Sequence, residues 1–259
     1  MQYTDQTGHI IQLAQRPRRI ISIVPSQTEM LHYLGLEKEV IGITKFCIHP
    51  KEWFQKKDRV GGTKQLNIEK IKRLQPDLIL GNKEENTKEQ IEELREYFPV
   101  WLSDVDSIDR AIDLIDQIGI ITNTIPKAQQ LIHQIFLAQD DLPKSNKRVL
   151  YFIWHEPKMT AGKNTFIDAM LNEAGFKNVL QVPRYPELSE EDIEALSPEY
   201  IFLSSEPFPF KEKHRIAYQN RFPNAKVILV DGELFSWYGS RLLHSFDYFR
   251  ELNEGLLLL

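Results

Sequence analysis

The stretch NIEKIKRLQPDLIL at residues 67–80 is nearly respelled as SEEDIEALSPEYIFL at residues 189–203. In each copy a good helix-capping residue, Asn67 or Ser189, stands two places before a glutamate, Glu69 or Glu191, and apolar residues follow at helical spacing. Seven residues after each glutamate comes a proline, Pro76 or Pro198, then an acidic residue, then an apolar run, LIL or YIFL. The proline ends the helix and the apolar run reads as a buried strand. One helix-turn-strand unit in each half predicts two similar lobes.

Length and composition permit two lobes, since 259 residues can bury two moderate cores. A hydrophobic content of 42% with 27% charged residues is ordinary for a soluble globular protein. The formal net charge of -5 and the lack of a basic stripe give no electrostatic reason to expect nucleic acid. The one cysteine, Cys47, excludes an internal disulfide and a CxxC pair, and reads as a small, partly buried residue. The N-terminal twenty residues lack the apolar core of a secretory signal, and no later segment has the length to span a bilayer. The chain therefore reads as soluble: either cytoplasmic, or exported by a signal or lipid anchor outside the sequence shown.

Along the chain, YTDQTGHIIQL reads as a hairpin about residues 6–8, followed by strand RIISIV, helix TEMLHYLGL closed by Gly35, and strand IGIT. Helices and strands then alternate from Ile68 to Val100, and again from RVLYFIW to KVILVDG, as expected of parallel sheets covered by helices. Between the two sets lie IDRAIDLIDQIGIIT and IPKAQQLIHQIFLAQDDL, with Pro126 suited to a first helical turn. The expected organisation is an N-terminal α/β lobe at 1–123, a connecting helix at 124–142, and a C-terminal α/β lobe at 143–259.

The order of RIISIVPSQTEMLHYLGL, IGITKFCIHP, VGGTKQLNIEKIKRLQPDLIL, the long central helix and MTAGKNTFIDAMLNEAGFKNV resembles the periplasmic substrate-binding proteins of ABC importers for vitamin B12, haem and iron-siderophores, nearest to the B12-binding branch. The resemblance covers most of the chain. It implies two α/β sandwich lobes joined by one long helix, with a metal chelate held in the cleft between them and no catalytic residues. It also implies a monomer that delivers its cargo to a membrane permease with its ATPase, and an extracytoplasmic location. Family members carry one glutamate per lobe that docks to permease arginines, and these match Glu69 and Glu191. An exposed carboxylate on a rigid helix suits such a charge-assisted pair. On the residues alone, both read rather as first-turn glutamates that stabilise their helices through the dipole, and it is the resemblance that turns the preference to docking.

Cargo contacts are sought where strands end, because ligands of open α/β sheets lie outside the carboxyl ends of the strands. Phe46, Trp154, Trp237 and Tyr238 follow predicted strands, and Tyr185 precedes the second repeat. Flat side chains suit a flat macrocycle, although each could also be a half-buried structural aromatic. Polar candidates at the same rim are Ser26, Thr63, Lys64, His155 and Arg241, with Glu84 and Glu206 each eight residues beyond the repeat proline. The two carboxylates could accept hydrogen bonds from cargo amides, contact a cation, or be solvated loop charges.

Cys47, His49 and His155 invite a metal-ligand reading, and an axial haem ligand could come from His49, His155, Tyr185 or Tyr238. Ile48-His49-Pro50 stands where close family members carry an acidic-aromatic-proline turn, so that part of a B12-type wall is altered. No resident cofactor is expected beyond the bound cargo, which would be cobalamin, a ferric siderophore or haem. Two rivals are a cytoplasmic corrinoid-handling or sensing protein on the same fold, and a two-lobed metalloenzyme. The second should show clustered ligands or a nucleophile-base pair, and neither GxSxG, HExxH nor a P-loop occurs.

Overall fold

The computed structural model describes residues 1–142 and 144–257. Contacts divide the chain into two compact units: unit 1 is Met1–Val105, Asp109–Ile135 and Tyr238–Arg241, and unit 2 is Asp106–Ile108, Phe136–Trp237 and the chain from Leu242 on.

Unit 1 opens with the expected hairpin, β1 (Gln2–Thr4) antiparallel to β2 (Ile10–Gln12). The Asp5 carboxylate closes its turn by accepting from the backbone N–H of Thr7 and of His9, both at 2.8 Å. There follow β3 (Ile20–Ser22), α1 (Pro25–Tyr33), β4 (Val40–Ile43), α2 (Lys51–Lys56) and β5 (Asp58–Arg59). A short antiparallel pair, β6 (Gly61–Gly62) with β7 (Gln65–Leu66), leads to α3 (Ile68–Leu74), β8 (Leu78–Asn82), α4 (Lys88–Arg95) and β9 (Val100–Ser103). The sheet order is β5-β4-β3-β8-β9, parallel throughout. Strands buried on both faces explain why β3 and β8 read as apolar runs without alternation. Helix α1 begins three residues before the expected TEMLHYLGL, because Pro25 occupies its first turn, where a missing N–H costs nothing.

Two more helices, α5 (Ile108–Ile121) and α6 (Ile125–Gln139), precede the second sheet. Helix α6 is shorter than the 124–142 segment expected, 15 residues or about 22 Å. Asp140 and Asp141 put negative charge where the helix dipole is already negative, and Asp141 takes a left-handed φ of 58°. The expected lobe boundaries also differ from the contact division, which changes at Ile135 within α6 and returns Tyr238–Arg241 to unit 1.

Unit 2 contains β10 (Arg148–Trp154), β11 (Met159–Thr160), α7 (Phe166–Glu173), β12 (Lys177–Asn178), α8 (Glu190–Leu196), β13 (Tyr200–Ser204), α9 (Glu212–Arg221), β14 (Lys226–Val230), α10 (Glu233–Ser236) and α11 (Leu242–Leu257). Its sheet runs β11-β10-β13-β14, with β12 beside the start of β10 and only β11 antiparallel. Leu150, Phe152, Ile193, Ile201, Leu203 and Phe222 form the core on one face.

The repeated stretch folds alike in both units. Asn67 Oδ1 accepts from Lys70 N at 2.9 Å and Ser189 Oγ from Asp192 N at 3.1 Å, so each caps a seven-residue helix. Gln75 and Ser197 end those helices, each at a left-handed φ of 45°. The acidic residue after each proline has a structural task. Asp77 accepts from the backbone N–H of Arg18 and Arg19, and Glu199 from that of Arg148, which ties the turn to the start of the neighbouring strand. The same arginines reach back to helix-end carbonyls, Arg19 Nη2 to Leu74 O and Arg148 Nη2 to Leu196 O, each at 2.6 Å.

Candidate functional site

In unit 1 the carboxyl ends of β3, β8 and β9 are closed by a buried polar network. Gln27 Nε2 donates to Gly81 O at 2.9 Å and Ser103 Oγ at 2.7 Å, with Tyr238 OH 3.4 Å away, and Asn82 Nδ2 donates to Ser103 Oγ at 2.9 Å. Tyr238 is buried, and burial holds its phenol well above the ordinary range, so it is neutral at any physiological pH. Ser26 is buried beside it at the start of α1. Arg241 engages Glu29, with Nε donating to Oε2 at 2.9 Å and Nη2 lying 2.9 Å from Oε1. Ser26, Tyr238 and Arg241 thus come together inside unit 1, where Tyr238 and Arg241 hold the returning segment in place.

The exposed rim of unit 1 is built from other residues. Phe46, which follows β4, is 50% exposed, with the Lys45 ammonium 5.0 Å from its ring. It lies against Gly62, where a Cβ would stand 3.1 Å from the Phe46 ring and 3.2 Å from Lys45 Cε. Thr63 and Lys64 occupy the turn between β6 and β7; Thr63 O accepts from Asn86 Nδ2 at 3.0 Å, and the Lys64 ammonium donates to the Glu84 carbonyl. Phe46, Thr63, Lys64 and Glu84 therefore share one edge of the rim.

In unit 2 the strand ends carry an aromatic wall. Trp154 ends β10, is 38% exposed, and packs on Phe208 with centroids 5.6 Å apart. His155 Nδ1 lies 3.2 Å from Tyr218 OH, and its ring stands 5.6 Å from Phe208 and 5.1 Å from His214. His214 Nδ1 accepts from Lys211 N at 2.9 Å, so that nitrogen carries no proton. Desolvation, then the charges of His155, Lys213 and Lys211, hold the His214 pKa below the ordinary histidine value. Phe208, Phe210, His214 and Tyr218 were not singled out from the sequence; the alternation FPF after β13 was their only local signal.

Glu206 stands beside this wall. Its Oε1 accepts from Ser236 Oγ at 2.6 Å and Trp237 Nε1 at 2.8 Å, so Trp237 is buried and fixed by its indole N–H. Desolvation is the largest influence on Glu206 and raises its pKa, with Glu233 and Asp231 adding repulsion against the Ser236 and Trp237 hydrogen bonds. Tyr185 is half-buried in the 181–188 segment, under the Arg184 guanidinium at 5.8 Å.

The metal reading of Cys47 meets an obstacle. The thiol is fully buried, lies 3.1 Å from both Thr28 Oγ1 and Thr44 Oγ1, and is pushed up to about 11 by burial, so it is not a thiolate at neutral pH. Half-buried His49 precedes a cis Pro50. Among the described residues no three His, Cys, Asp or Glu side chains come together as metal ligands, and no helix is long and apolar enough to cross a membrane.

Glu69 and Glu191 are equivalent second residues of α3 and α8, both exposed.

Each unit is an α/β fold whose sheet is wholly or largely parallel, with aromatic and acidic side chains on the loops that follow its strands. Residues 20–222 match the family described as periplasmic binding protein, and the chain belongs to that family. It is 26% identical to an uncharacterised ABC transporter substrate-binding lipoprotein of Bacillus subtilis, across 97% of this chain and 84% of that one. A vitamin B12-binding protein of Pectobacterium carotovorum is also 26% identical, across 88% and 85% of the two chains. The fold is shared with the periplasmic heme-binding protein of Vibrio cholerae, at a TM-score of 0.75 and 24% identity, covering 91% of this chain and 98% of the other.

Proposed function

We propose that this chain, a substrate-binding protein of the ABC-importer class, captures a flat metal chelate outside the cytoplasm and hands it to a membrane permease. The importer role follows from its family and its relatives, which are binding proteins rather than enzymes. Export is supported by the lipoprotein and periplasmic character of those relatives.

One observation carries the chelate reading: at the carboxyl end of β10 a partly exposed indole, Trp154, lies on Phe208 beside half-buried His155. Such a wall gives a macrocycle a large apolar face at little entropic cost. Phe46, Thr63, Lys64 and Glu84 supply a second candidate surface on unit 1. Glu69 and Glu191, exposed on capped helices, are the proposed permease contacts.

The test is a calorimetric and thermal-melting titration with cyanocobalamin, dicyanocobinamide, haemin and a ferric siderophore. At least one should raise the melting temperature, and Trp154→Ala should weaken it by about tenfold, as expected for a lost stacking partner worth about 1.4 kcal/mol. If all four leave the melting temperature unchanged near millimolar concentration, the chelate reading fails.

A further inference from the structure

Glu206 is an acid whose surroundings leave its charge unanswered. Its carboxyl follows β13 by two residues and lies against the turn at Gly232, where a Cβ would stand 2.7 Å from Glu206 Cγ and 2.3 Å from Ser204 Oγ. Both hydrogen-bond donors approach one oxygen: Ser236 Oγ at 2.6 Å and Trp237 Nε1 at 2.8 Å meet Oε1. They lock the side chain in one orientation, and Oε2 receives no hydrogen bond from any described residue. The charged groups that bear on it are Glu233 and Asp231, both acidic, and the ionisable Tyr151 is also near. None of the described lysines, arginines or histidines forms an ion pair with it. Phe208, two residues further on, joins it to the wall that ends at Trp154.

A fixed carboxylate with one open oxygen on an apolar wall is an acceptor for N–H groups and a repellent for anions. We propose that Glu206 makes this protein select a chelate whose rim bears amide or cationic N–H donors over one whose rim bears carboxylates. This deepens the chelate-receptor reading and rests on it. Corrinoids, edged with carboxamides, satisfy the requirement; porphyrins with two propionates do not. The raised pKa of Glu206 adds a direction: as pH falls toward it the acceptor is neutralised, and the preference for amide-edged cargo declines.

The experiment compares the Kd of dicyanocobinamide and of haemin for the wild-type chain, Glu206→Gln and Ser236→Ala. Glutamine keeps the shape and lets Ser236 and Trp237 donate to its carbonyl oxygen, which turns its NH2 toward the cargo. The wild type should prefer dicyanocobinamide. Glu206→Gln should bind it about tenfold more weakly and haemin more tightly, because an ionic acceptor becomes a neutral donor. Its affinities should also lose their pH dependence in the mildly acidic range. Ser236→Ala keeps the charge and should keep the preference. A role confined to orienting Trp237 would lower both affinities together without reversing their order, and that result overturns the inference. So does a wild type that prefers haemin, or a Glu206→Gln chain that binds both probes as the wild type does; in either case chelate binding itself stands. If neither probe binds the wild type and cyanocobalamin and a ferric siderophore fail as well, the receptor reading falls and takes the inference with it.

Discussion

The two copies of the helix-turn-strand unit share a backbone and differ in charge. Helices α3 and α8 have the same length, the same kind of N-cap and the same left-handed C-cap, and each leads into a wholly buried five-residue strand. Their surfaces diverge. In IEKIKRL, Glu69 shares Lys72 at 3.5 Å, and Lys72 and Arg73 sit in the last turn, where cations suit the dipole. In EEDIEAL no basic residue occupies the last turn, and Glu190 and Glu194 are held from outside the helix by Arg221, with Lys158 also on Glu190. Those pairs hold the Glu190 carboxyl below its usual range. Caps and apolar spacing are what the shared fold requires, and the outward charge is left to vary. If both faces meet a permease, they meet it on unequal electrostatic terms.

The comparison can be broken first in the cores. Ile71 and Ile193 are equivalent and fully buried, so Ile71→Ala and Ile193→Ala should each cost about 2–5 kcal/mol in urea unfolding. A value below about 1 kcal/mol for one of them would show that its copy is packed differently. A smaller effect comes from Arg19→Ala and Arg148→Ala. Each removes hydrogen bonds from a solvent-exposed arginine to helix-end carbonyls, two at Arg19 and one at Arg148, and should cost about 1 kcal/mol in the same measurement. Equal losses sharpen the equivalence; a loss at one site alone assigns the clamp to one unit.

The smallest stability effects belong to the glutamates, and there the copies should part. Glu69→Lys removes the Lys72 pair and adds a cation beside Lys70 and Lys72, a loss of a few tenths of a kcal/mol. Glu191→Lys relieves a first turn crowded with Glu190 and Asp192 while losing a favourable dipole contact, and should be near neutral. Cargo affinity should not change in either. If these helices dock to cationic groups of a permease, uptake by cells that depend on this protein should fall in both, and further for Glu191→Lys, whose helix carries more acidic residues and no basic one in its last turn. Full uptake by the double variant would remove these helices from the docking surface.

Elements whose signal is local were legible in the sequence: the capped helices before Pro76 and Pro198, the Asp5 hairpin and the apolar parallel strands. Features set by distant contacts were not. Nothing in ILVDGELFSWYGSR announces that Tyr238 joins Gln27 and Ser103, or that Arg241 meets Glu29. Position after a strand alone therefore makes both rim residues in the sequence. The cluster of Phe208, Phe210, His214 and Tyr218 was missed because its members converge from a loop and a helix with no shared period. Glu206 was legible as a counterpart of Glu84, but its clasp by Ser236 and Trp237 was not, since those donors lie thirty residues on.

The return of Tyr238–Arg241 to unit 1 bears on how the chain is made. A ribosome releases residues in order, and by the time Ile135 has emerged nearly all of unit 1 is free to collapse. It would do so with Glu29 facing no guanidinium, and with the ledge on Met30 empty where Gly239, at a left-handed φ of 83°, later settles, a Cβ there standing 3.1 Å from Met30 Cβ. The last four residues of unit 1 arrive only after Trp237, behind the whole β10–β14 sheet. Completion of the first unit therefore waits on translation of most of the second, and a nascent chain halted before Arg241 leaves the half-buried Glu29 carboxylate without the guanidinium that pairs with it in the finished fold.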